Sequence, residues 1–348
     1  MGYGCSIQGS VAIALACLLP AASTALPAPK SIDALRETDF STELRFEREL
    51  NAGPGFTAYL VSYQSSALTV YAMVVVPVGE RPDSGFPVMV ANHGFHPDPP
   101  RYGMTEDGAD SRPGDYYRSI PELYAQQGFL VIMPDYRGHN ASEGLQYTDG
   151  FLATGYYSED VLALLWGLGD IEEADTRNVF MWGHSLGAEV SLRALLATER
   201  IRGATLWSGV GGEIWDQAYY YQRYEDRLAY DGSDSDNARI EGLRQDMAEL
   251  DESYDWTTRE PLRHLHYLQA PIVIHHAVGD TGAPYHWSER LAKELYLLGH
   301  PYRFHSYPGT DHFFQGETLG EAVDRDVAYF RSLIRLADPI SGAGVTSQ

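Results

Sequence analysis

Gly183-His184-Ser185-Leu186-Gly187 places a serine between glycines two residues away on either side. The apolar run NVFMWG leads into it and LGAEVSLRALLA leads out, so the stretch reads as strand, tight turn and helix. Glycine at those two places lets neighbouring chain approach where a Cβ would clash. The serine hydroxyl is then held clear of the sheet, at a helix N-terminus with unpaired N–H groups. Such a serine attacks a carbonyl carbon once a base takes its proton. Two later segments supply the partners. PIVIHHAV runs into Gly279-Asp280, which puts a carboxylate at a strand's C-terminal edge. YRFHSYP runs into Gly309-Thr310-Asp311-His312-Phe313-Phe314, which puts an imidazole on the next edge loop. The chain order serine, acid, histidine suits Ser185 as nucleophile, His312 as general base and acid, and Asp280 as the group that orients it.

Attack leaves negative charge on the carbonyl oxygen, so two N–H donors must face it. The backbone N–H of Leu186, directly after the nucleophile, is one. The loop Asn92-His93-Gly94-Phe95 after the strand FPVMVAN offers the second, the backbone N–H of Phe95. Other titratable residues read differently. Asp311 is adjacent to His312 and reads as a turn residue. His275 and His276 fall inside an apolar strand and read as core or supporting groups. His184 has no partner acid in the motif. Arg137 reads as a structural partner for acids. His93, His96 and Asp98 are conceivable metal ligands, but their spacing matches no metal motif, and no metal is expected. No Gly-rich phosphate loop follows the first strand, so no cofactor is expected either.

These groups converge only if a sheet carries them. From residue 44 the pattern is strand-like: RFEREL, TAYLVSYQ and LTVYAMVVVPV, separated by turn residues. Strand-like and helix-like runs then alternate: FPVMVANH, SIPELYAQQ, FLVIMPD, YSEDVLALLWGL, NVFMWG, LGAEVSLRALLA, GATLWSGV, PIVIHHAVGD, SERLAKELYLLG, YRFHSYP and EAVDRDVAYFRSLI. Short apolar strands alternating with amphipathic helices predict a mostly parallel sheet covered on both faces, with an antiparallel start. Residues 26–348 therefore read as one α/β domain. Residues 211–262 break the rhythm with aromatics (Trp215, Tyr219, Tyr220, Tyr221, Tyr224, Tyr230) and many acids. An insertion at this edge of the sheet predicts a helical lid favouring neutral or cationic acyl substrates over anionic ones.

Composition bounds the partners. The chain has 348 residues, 44% hydrophobic and 21% charged, ordinary values for a protein with a real core. Its 25 Lys+Arg stand against 48 Asp+Glu, a net charge of −23, which opposes nucleic-acid binding and stable membrane association. Only Lys30 and Lys293 are lysines. The partner expected is a small peptide or ester substrate. Residues 1–25 lack any charged side chain, and Val11 to Leu19 is apolar. Ser23-Thr24-Ala25 then reads as a signal-peptide cleavage site near Ala25, so the protein is expected to be exported, periplasmic or secreted. Both cysteines, Cys5 and Cys17, fall in that leader, so no disulfide is expected in the mature chain.

With these motifs in hand the chain resembles the catalytic domain of the prolyl oligopeptidase family of serine peptidases, an α/β-hydrolase fold. The resemblance rests on MPDYRGHNASEG, YYSEDVLALLWGL, MWGHSLGAEVSLRAL, APIVIHHAVGDTGAPYHWSERLAKEL and YPGTDHFF. It implies a serine-type peptidase with Ser185, Asp280 and His312 as triad. Two departures point towards a carboxylesterase as the alternative. Roughly 60 residues precede the core strands, too few for a propeller whose blades need ~40–50 residues each. Asn92 stands where the family's oxyanion tyrosine is expected. A non-enzymatic binding protein on the same fold would show a broken triad, and none of the three positions is broken.

Overall fold

The computed structural model describes residues 26–96, 98–102, 117, 119–148, 152–209, 211–214, 216, 217, 220, 256–309 and 311–335. The leader 1–25 with both cysteines, and most of the 211–262 insertion, lie outside the described residues.

Nine strands form one sheet: β1 (Arg45–Gly53), β2 (Phe56–Ser65), β3 (Leu68–Pro77), β4 (Phe86–Asn92), β5 (Leu130–Pro134), β6 (Ala174–His184), β7 (Ile201–Trp207), β8 (Ile272–Ala277) and β9 (Tyr302–Tyr307). Their order is β1-β2-β3-β5-β4-β6-β7-β8-β9. The pairings β1–β2, β2–β3 and β3–β5 are antiparallel. From β5 through β9 every pairing is parallel. The predicted architecture holds: an α/β-hydrolase sheet with an antiparallel start.

Strand periodicity sorts the core into two layers. Val74, Val88 and Val90 face one layer, which also contains α1 (Ile32–Glu37), α3 (Ala153–Gly167) and α4 (Leu186–Ala197). Met73, Val75, Met89 and Ala91 face the other, with α2 (Ser119–Gln126) and α6 (Glu317–Leu333). α5 (Tyr285–Leu297) adds Leu291 and Leu295 to the first layer.

One helix departs from the amphipathic reading. α3 is buried nearly all round, and its charges are paired rather than solvated. Asp160 holds Arg137 in a two-pronged ion pair with contacts of 2.7 and 3.1 Å, as suits a buried guanidinium. Glu159 takes Lys30 at 3.2 Å. The segment around Pro29 lies against Gly155, so the face expected to meet water is covered by chain. No described helix is long and apolar enough to cross a membrane.

Candidate active site

The parallel strands end on a common edge, and four of their C-terminal loops carry the candidate site residues. At the end of β6 the chain turns straight into α4. Ser185 sits in that turn at φ 56°, ψ −124°, a strained conformation for a residue with a side chain. The turn is tight enough to require its glycines. A Cβ on Gly187 would lie 2.1 Å from the Asn92 carbonyl oxygen, and one on Gly183 would lie 2.4 Å from the Gly187 carbonyl oxygen. The Ser185 N–H donates to the Trp207 carbonyl at 3.0 Å, which pins the elbow to β7. Leu186 is the first residue of α4, so its N–H has no carbonyl within the helix to bond.

Asp280 follows β8 and His312 follows β9. The structure brings them together: His312 Nδ1 lies 2.7 Å from Asp280 Oδ2. A carboxylate only accepts, so Nδ1 carries the proton and Nε2 keeps its lone pair free. Asp280 is held from both sides. Its Oδ1 accepts the N–H groups of Gly282 at 2.7 Å and Ala283 at 3.2 Å. Its Oδ2 also lies 3.3 Å from His276 Nε2, whose proton is shared with the Ala283 carbonyl at 2.9 Å. The Ser288 hydroxyl, 2.7 Å from His276 Nδ1, completes that ring. Burial pushes the Asp280 carboxyl upward, but the hydrogen bonds from His276 and His312 outweigh it. They hold the group well below the usual carboxylate range.

The loop after β4 lies across the elbow. A Cβ built on Gly94 would sit 3.0 Å from Ser185 Cβ and 2.6 Å from the Tyr117 hydroxyl. Phe95, whose N–H was expected to face the reacting oxygen, follows directly and is 66% exposed. Asn92 does not project into the site. It is fully buried, and its Nδ2 donates to Ser191 Oγ at 2.8 Å. His93 is stacked between Tyr102 and Tyr136, at ring separations of 3.9 and 4.2 Å. Its ring nitrogens face the Gly94 and Asp135 carbonyls, so they are turned away from His96. Burial pushes the His93 pKa well down. His96 Nδ1 instead bonds the backbone of Asp98. Among the described residues no cluster of acids, histidines or cysteines is arranged to hold a metal ion.

Asp311 accepts the N–H groups of Phe313 and Gln315 and so closes its own turn. Phe313 packs edge-on against His312 with rings 5.3 Å apart. The described ends of the 211–262 insertion tie to the core and to each other. Gln217 Nε2 donates to Glu189 of α4 at 2.8 Å, and the Ile214 N–H donates to Glu260 at 3.0 Å. Glu189 also holds Arg193 at 2.9 Å. The Tyr220 hydroxyl donates to the carbonyl of Thr281, the residue after Asp280. The predicted helical stretch of that insertion lies outside the described residues. Two contributors had no motif to announce them. Tyr117 precedes α2 at no fixed spacing from Ser185, and His276 is one of two histidines that an apolar strand pattern assigns to the core or to a supporting role, without saying which.

A nucleophile elbow at the C-terminal edge of a mostly parallel sheet, with a histidine–aspartate pair on the last two edge loops, defines an α/β-hydrolase. A model of the prolyl oligopeptidase family matches residues 115–335. The chain belongs to that family and is a serine hydrolase.

Solved structures agree on the fold. Acetyl xylan esterase 1 from a Thermoanaerobacterium species superposes with a TM-score of 0.56 at 13% identity, over 87% of this chain and 95% of that one. Porphyromonas gingivalis dipeptidyl peptidase 4 gives 0.56 at 17% identity, over 83% of this chain and 36% of that one. A puromycin-hydrolyzing peptidase from Mycobacterium tuberculosis gives 0.57 at 19% identity, over 83% and 39%. This chain thus spans under two fifths of either peptidase and nearly all of the esterase. No curated protein sequence matches it.

Proposed function

We propose that this chain is a serine-type peptidase of the prolyl oligopeptidase type, working through an acyl-enzyme with Ser185, His312 and Asp280 as its triad. The observation that carries the triad is the 2.7 Å contact between His312 Nδ1 and Asp280 Oδ2. It leaves Nε2 as the base on the loop beside the strained Ser185 elbow. Ser185 Oγ attacks the scissile carbonyl while its proton passes to His312 Nε2. Asp280 stabilises the imidazolium that results. The N–H groups of Leu186 and Phe95 receive the oxyanion. The tetrahedral species collapses, the leaving amine or alcohol takes the proton from Nε2, and water repeats the cycle on the acyl-Ser185 ester. No step requires a cofactor. The sequence of residues 1–25 supports work outside the cytoplasm after leader removal.

Family membership supports the peptide substrate. The second reading is a carboxylesterase on small esters. It is supported by Asn92, whose side chain is turned to Ser191 where a peptidase of this type is expected to offer a tyrosine hydroxyl. Matched peptide anilides and aryl esters with a common acyl group separate the two. The peptidase reading expects kcat/KM on the best anilide within about tenfold of its ester. Turnover confined to esters across the panel overturns it in favour of the esterase.

A further inference from the structure

His184, the residue inside the elbow motif that the reaction does not use, is nine-tenths or more buried and bonded at both ring nitrogens. Nε2 lies 2.8 Å from the backbone carbonyl of His312. A carbonyl only accepts, so Nε2 carries the proton and Nδ1 is the acceptor. The Tyr117 hydroxyl, 2.7 Å from Nδ1, therefore donates to it. The same hydroxyl oxygen accepts the Gly94 N–H at 3.1 Å. The hydrogen bonds run in one direction: Gly94 N–H to Tyr117, Tyr117 O–H to His184, His184 N–H to the His312 carbonyl. Three separate loops are joined by that chain: the donor loop after β4, the elbow after β6 and the base loop after β9.

We propose that Tyr117 and His184 are positioning residues that set the base loop of His312 against the oxyanion-donor loop of Phe95, with the elbow of Ser185 as the fixed point between them. The inference rests on the hydrolase reading above. Packing restrains the same bridge. The His184 ring lies 4.7 Å from His312, 4.9 Å from Phe313 and 6.0 Å from Trp182, the last nearly parallel. Burial, reinforced by the neighbouring His312, pushes the His184 pKa down to about 3. The ring stays neutral across any ordinary working pH, and one nitrogen always accepts while the other donates. A charged ring would donate from both nitrogens and reverse the Tyr117 bond. The effect of the two residues runs through the place of the His312 main chain and of the Gly94–Phe95 peptide, where sub-ångström errors are expensive in rate.

The test compares Tyr117→Phe, His184→Leu and His184→Gln with the full-length enzyme on an aryl ester. Rates are expressed per active site titrated with a fluorophosphonate, so misfolded chain does not count. Tyr117→Phe and His184→Leu are expected to lower kcat about 10- to 100-fold with KM within about twofold, because a transition-state alignment is lost rather than binding. His184→Gln, which can still donate to the His312 carbonyl, is expected to recover most of the loss. A bridge that is merely structural would lower Tm and the titrated fraction while kcat per site stayed at the wild-type value. That result, or a His184→Gln rate no better than His184→Leu, overturns the proposal. A wild-type enzyme that takes up no fluorophosphonate overturns the hydrolase reading itself.

Discussion

Two aspartates in this molecule each hold a histidine, and only one of the pairs sits where it can react. His275 and His276 are consecutive on β8, so their side chains leave opposite faces of the sheet. His276 reaches Asp280 at the strand edge. His275 reaches Asp326 of α6 at 2.9 Å, with both side chains wholly inaccessible. Asp326 also accepts from the Tyr124 hydroxyl and the Trp207 indole N–H, each at 2.8 Å. Tyr307, 2.7 Å from the other nitrogen of His275, seals the network. Distance alone does not distinguish this pair from His312–Asp280 at 2.7 Å. Access does: the His312 side chain is 17% exposed on a loop beside a strained serine, whereas His275 is buried inside a strand. The histidine–carboxylate pair at the loop edge is open to a substrate, and the pair sealed in the core cross-links helix to sheet.

Paired substitutions separate the two aspartates most clearly. Asp280→Asn is expected to lower kcat by about 10³–10⁴-fold while the chain stays folded, because the imidazole loses the partner that fixes its tautomer. Asp326→Asn is expected to do the reverse. Stability falls by about 2–4 kcal/mol as three buried donors are left sharing one amide oxygen, and kcat per titrated site stays within about threefold of wild type. Denaturant melts together with active-site-titrated rates read both effects. An Asp326→Asn enzyme that is stable but inactive per site would erase the distinction drawn here.

A smaller effect sharpens the contrast between the exposed edge and the buried feet of the insertion. Glu260 lies beside Glu189, Arg193 and Glu213, and burial pushes its pKa up to about 7. A carboxyl whose folded-state pKa is raised binds its proton more tightly when folded. Stability from this group is therefore full below the unfolded value near 4.5 and declines as pH rises towards 7. Glu260→Gln should flatten that decline, removing about 1–3 kcal/mol of pH dependence between those limits. Melting curves at pH 4.5, 6 and 7.5 measure it, and an unchanged slope in Glu260→Gln would show that Glu260 does not titrate in that window.

The sheet was legible because its signals are local. Apolar runs such as FLVIMPD and PIVIHHAVGD bounded by turn residues can only be buried strands, and the glycines around Ser185 mark one kind of turn. Asp280 and His312 were legible because each falls just past such a strand. The support behind them was not. Tyr117 and Ser288 reach the site through packing between elements far apart in the chain, and nothing in their own neighbourhoods records it; His276 read only as a core or supporting group, with no partner named. Arg137 was legible as a structural partner for acids, but its particular partner, Asp160 of the buried helix α3, was not. Asn92 was legible as a departure from the family's tyrosine, but its bond to Ser191 was not.

In the proposed mechanism Ser185 is the nucleophile of an acyl-enzyme. Labelling the protein with a fluorophosphonate and mapping the modified peptide by mass spectrometry tests it directly. A single adduct on Ser185, absent from Ser185→Ala, with turnover in that variant reduced at least about 10³-fold, is the predicted result. An adduct on any other residue, or undiminished turnover in Ser185→Ala, would rule out Ser185 as the nucleophile.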